Sequence, residues 1–243
     1  MAAGFEDLLK ENPDDVLIQM IQDSRLSDLT LAIEAHEDPI AMGSAFASAV
    51  RRLYREYSDV SNMLVAGGTG LTYCLSKASR ESDHLRAREL KKLGRVIAFN
   101  TAVNCWPGWG DDGIVIEEAH ISAGIQIATE CLSLVQELAL TPREQGGAHW
   151  LIGALQLAAG RFGVARMEFE EARQIYLRDE SISSYALMAD GYIALAAKAD
   201  PQSGPDGVDA LSMALDRLRS EGSKDATFFA AQIATADRVL LKN

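Results

Sequence analysis

Apolar residues recur three and four positions apart along almost the whole chain, and no stretch sustains the two-residue alternation of a half-buried strand. The pattern predicts an all-α protein with no sheet. All six prolines, Pro13, Pro39, Pro107, Pro142, Pro201 and Pro205, fall at breaks in the periodicity, where a missing N–H costs little. "TPRE" is the clearest joint: Thr141 is placed as N-cap, Pro142 at the first helical position and Glu144 where it closes a capping box. Asp38-Pro39 and "NPDD" from Asn12 repeat the device. Between joints the chain reads as a short N-terminal helix pair before Glu37, then helices near 39–57, 60–79, 84–104, 113–140, 142–159, 162–178, 181–199, 205–220 and 224–241. Links this short force antiparallel neighbours, so the expected topology is an α-α superhelix of helical hairpins. The expected organisation is one all-helical domain, 1–243, with N-terminal helices at 1–37, a hairpin stack over 84–220 and a capping helix at 224–243.

One hairpin carries more information than the others. In "GAHWLIGALQLAAGRFGVARMEFEEARQIY" the small and aromatic residues Gly153, Gly160, Phe162, Ala165, Phe169 and Ala172 follow a fixed spacing. This resembles the tetratricopeptide repeat, in which small residues let two helices of a hairpin touch and aromatics fill the gap to the next hairpin. His149, Ile152 and Gln156 stand where the family prefers Trp, Leu and Tyr, and Leu177 stands in place of its closing Pro. A second unit follows with Ala210 as its small residue, so the resemblance covers 142–218. It implies a non-enzymatic scaffold that binds a protein or peptide partner. In such a register Trp150, Met188 and Tyr192 project from the first helices of successive hairpins, toward the inner groove, and are candidate partner-binding residues. The same side chains also suit a plain core. The helix over 147–160 is apolar nearly all round and must be covered on every side, by the N-terminal helices or by a second copy. A homodimer is the expected form.

Two of the three tryptophans, Trp106 and Trp109, flank a Pro-Gly pair in "NCWPGWGDD". The register makes this stretch the turn inside a hairpin, on the same edge as "AAGRF" and "ADPQSGPDG". Two readings stand: the indoles fold back as plugs over helix ends, or they form an exposed aromatic patch for a partner. Asp111 and Asp112 then complement the dipole of the next helix.

A net charge of -12 repels phosphate backbones and anionic bilayers, so neither nucleic acid nor membrane is an expected partner. The longest uncharged stretches, 60–76 and 145–160, are interrupted by glycines and polar residues and fall short of the roughly 18 apolar residues a membrane span needs. The N-terminus lacks a signal-peptide pattern, and Cys74, Cys105 and Cys131 have neither metal-ligand nor redox spacing. These features suggest a cytoplasmic protein with reduced, buried thiols. No nucleophile motif or P-loop is present, and no cofactor is expected. Two patterns invite chemistry. "VAGGTGL" resembles a dinucleotide-binding turn through Gly67, Gly68 and Gly70, which gives the alternative function, a small-ligand or dinucleotide-binding enzyme; without alternating strands the same glycines serve close helix contact. Glu81 with His84 and Glu117 with His120 have the spacing of di-iron ligands, but both pairs sit at helix ends, where no metal site is expected.

Overall fold

The computed structural model describes residues 12–203 and 206–241. Among them are eleven α-helices, two 3-10 turns and no strand. The helices are α1 (Pro13–Gln22), α2 (Leu26–Ala35), α3 (Pro39–Arg55), α4 (Val60–Arg80), α5 (His84–Val103), α6 (Glu118–Glu137), α7 (Pro142–Ala158), α8 (Phe162–Tyr176), α9 (Ser183–Ala199), α10 (Asp206–Glu221) and α11 (Lys224–Leu240). The chain divides into two compact units, the first ending at Asn104 and the second beginning at Cys105.

In the first unit, local chemistry sets the helix starts. The carboxylates of Asp38, Asp59 and Asp83 accept from Ile40 N–H at 3.0 Å, Asn62 N–H at 3.0 Å and Leu85 N–H at 2.8 Å, so α3, α4 and α5 each begin on an Asp cap. Helix α4 then runs unbroken through Gly67, Gly68 and Gly70, so the turn that a dinucleotide cradle needs is absent. Two of these glycines are clearance for neighbours: Gly67 lies against the Thr101 side chain of α5, and a methyl at Gly70 would sit 2.6 Å from Phe46 Cβ of α3. Gly68 faces open space. Adjacent substitutions should therefore act in opposite directions. Gly67→Ala forces α4 from α5 and should cost about 1–3 kcal/mol, whereas Gly68→Ala should stabilise by about 1 kcal/mol through helix propensity alone. Urea unfolding of the two variants checks the sign of each.

In the second unit, α6 to α11 pack in succession, α7 on α6 and α8, α9 on α8 and α10, and α11 on both α9 and α10. The Thr141–Glu144 capping box forms as the sequence predicts, with Thr141 N–H donating to Glu144 Oε2 at 3.2 Å. Gly153 of α7 lies over Phe169 and Ala165 of α8; a methyl there would meet Phe169 Cδ1 at 2.7 Å and the Ala165 carbonyl at 3.2 Å. Partly exposed polar contacts bridge neighbouring helices: a hydrogen bond between His149 and Glu168 at 2.8 Å, and ion pairs of Arg173 with Asp190 at 2.6 Å and Lys198 with Asp237 at 2.6 Å. Pairs of this exposure add little stability. The all-round apolar helix α7 is covered by its own chain, through α6, α8, α9 and the ring of Trp109 on Trp150. The cover that α7 demands is therefore supplied within the chain.

The largest departure from the sequence reading lies between 104 and 118. The expected helix from Gly113 starts only at Glu118, because Gly110 and Gly113 adopt positive φ and hold the chain out of helical geometry. Asp111 and Asp112 consequently lie well before the first turn of α6, and its N-terminal charges are Glu117 and Glu118 instead.

Candidate functional site

The segment from Cys105 to Glu117 forms one 3-10 turn, Pro107–Trp109, and otherwise irregular chain. Pro107 sets φ for the turn, and Gly108 lies directly under the Trp106 ring, where any side chain would clash. The turn packs against α11, with Gly110 facing Thr235 and Val239. Its indoles reach the middles of α7 and α9 rather than the hairpin edge near "AAGRF": Trp109 lies 6.2 Å from Trp150, and Trp106 meets Tyr192 edge-on at 6.4 Å. The expectation of an intra-hairpin edge loop is thus corrected. Burial of two large indoles outweighs following the hairpin edge, since each aromatic side chain removes roughly 150–250 Å² from water.

Tyr192 is the hub. Its ring lies 5.5 Å from Trp150, edge to face, and 5.2 Å from Phe169 of α8. Trp106 and Tyr192 are 0% exposed and Trp150 6%, with Met188 also buried and Trp109 half-buried. The groove candidates Trp150 and Tyr192 and the turn candidates Trp106 and Trp109, which the sequence offers as alternative surfaces, form one aromatic cluster. Met188 is buried on the same helix as Tyr192, one turn before it. Sequence reasoning placed Phe169 in the core but missed its contact with Tyr192, and it missed Gly108; the "PGW" spelling is the one local signal for the latter.

The cluster is apolar in its walls and incomplete in its polar atoms. Trp106 Nε1, Trp150 Nε1 and the Tyr192 hydroxyl are buried with no hydrogen-bond partner. The neighbouring Trp150 N–H acts to lower the Tyr192 pKa. Burial dominates and raises the Tyr192 pKa far above the usual phenol range, so the hydroxyl stays protonated. Three unsatisfied groups in one cluster are unusual, because buried polar atoms in folded proteins nearly always find partners.

Comparison with protein-family models, with curated proteins and with solved structures finds no match.

The other candidate chemistry resolves into helix ends. Glu81 is the C-cap of α4 and His84 the first residue of α5, while the Glu117 backbone N–H donates to His120 Nδ1 at 3.1 Å across the start of α6. Among the described residues no group of three or more His, Cys, Asp or Glu is placed to hold a metal. No described helix is long and apolar enough to cross a membrane.

Proposed function

We propose that the second unit is a tetratricopeptide-like scaffold that binds a protein or peptide partner through the aromatic face of α7 and α9. The observation that carries this reading is that the face already receives an irregular, tryptophan-bearing peptide segment, its own residues 105–117, while two of its own polar atoms, Trp150 Nε1 and Tyr192 Oη, go unsatisfied. The close Gly153–Phe169 contact and the passage of Phe169 to Tyr192 on the next hairpin support the repeat register. Aromatic anchors with a few oriented donors are the chemistry of peptide recognition. The acidic balance of the chain disfavours nucleic acid as the partner.

The test uses a substitution that separates binding from packing. Tyr192→Phe keeps the ring and removes the orphaned hydroxyl, so it should stabilise the free chain by about 1 kcal/mol. The same change should weaken capture of partners from native lysate, read by mass spectrometry, by more than about 1 kcal/mol. Equal capture by parent and variant, or no specific capture by either, removes the proposal.

A further inference from the structure

We infer that residues 105–117 form a displaceable strap, occupying in cis the groove that a partner's segment with two aromatic residues takes in the bound state. The inference rests on the scaffold reading above and adds the regulation of its site. Aromatic side chains dock the strap, Trp106 against Tyr192 of α9 and Trp109 against Trp150 of α7. Within it Gly110 N–H donates to the Pro107 carbonyl at 3.1 Å and Ile114 N–H to the Asp111 carbonyl at 3.3 Å. Gly110 and Gly113, both at positive φ, give it two points where the chain can swing with little steric cost. Helices α7 to α11 pack on one another directly, so lifting the strap opens Trp150 and Tyr192 without dissolving the stack.

The strap also binds imperfectly. Its Trp106 N–H is buried without an acceptor, and it supplies none for the Trp150 N–H or the Tyr192 hydroxyl. Each such omission weakens docking, whereas a partner that brings backbone carbonyls to these donors loses nothing there. The strap itself defines the partner's chemistry: two aromatic residues separated by a tight turn, one ring edge-on to Tyr192 and the other against Trp150. A tethered segment competes at an effective concentration of the order of millimolar, so it blocks casual apolar contacts and yields to a better-satisfied segment.

Thiol labelling of the full chain tests this. Cys105 stands at the base of the strap against Gly124 of α6, Cys131 lies within α6, and Cys74 lies in the first unit; all three are fully buried. Burial pushes the Cys74 and Cys105 thiols up to about 12, so alkylation near neutral pH runs through opened states. With N-ethylmaleimide and fragmentation mass spectrometry, Cys105 should label about tenfold or more faster than Cys131, with a shallower dependence on urea below the unfolding transition than Cys131 shows. A synthetic peptide of residues 104–112, carrying Ser in place of Cys, should accelerate Cys105 further at about 1 mM and leave Cys74 and Cys131 unchanged. Cys105 and Cys131 labelling together, with the same urea dependence, would make the strap an ordinary part of the core and overturn the inference. A peptide without effect on Cys105 would overturn the stated partner chemistry. Because both readouts use the chain without a natural partner, their failure is distinguishable from failure of lysate capture, which bears on the scaffold reading itself.

Discussion

Tyr192→Ala is expected to lower the stability of the second unit by about 3–5 kcal/mol, the range for a large aromatic truncated in a core. Tyr192 touches Trp106, Trp150 and Phe169, so its removal leaves a cavity lined by three rings from three elements. Those rings are held by the strap, by α7 and by α8, and they cannot all collapse toward one centre. The lost hydroxyl has no partner, so its removal returns roughly 1 kcal/mol, too little to reverse the sign. Urea unfolding followed by circular dichroism decides it. A variant that melts with the parent would mean that Tyr192 does not join these elements.

Phe169→Ala should cost a similar amount, about 3–5 kcal/mol, by a different route. Phe169 fills the space left by Gly153 and is fully buried, so its loss opens a gap inside the α7–α8 hairpin as well as between that hairpin and α9. The compensating double variant Gly153→Ala with Phe169→Ala should recover part of the loss, because the added methyl enters the space the ring vacates. Two residues in contact are expected to be non-additive, by roughly 0.5–3 kcal/mol. Strict additivity in the cycle would show that Gly153 and Phe169 are not packed on one another.

What the sequence made legible was local. Helix starts at Asp38-Pro39 and Thr141-Pro142 rest on interactions within four residues, and such signals survive without knowledge of the fold. Gly67 and Gly70 could be read as contact points because nothing else excuses glycine inside a helix, yet the reading could not tell that Gly68 faces open space. The start of α6 was misplaced because apolar spacing continues through Ile114 and Ile116, whereas Gly110, docked on Thr235 and Val239 of α11, and Gly113 both take positive φ and break the helix. The convergence of Trp106, Trp150 and Tyr192 was not legible at all. These residues are separated by more than forty positions at each step, and only packing of the 3-10 turn on α11 and across α7 and α9 brings them together.

The central claim is that a partner and the strap compete for one aromatic face. The most direct measurement is alkylation of Cys105 in the complex of the full chain with a partner identified by native capture, with Cys131 and Cys74 as internal references. The account predicts that saturating partner exposes Cys105 and leaves the other two protected. Cys105 remaining as protected as Cys131 in the saturated complex would contradict it, since the strap would then still occupy the face while the partner is bound.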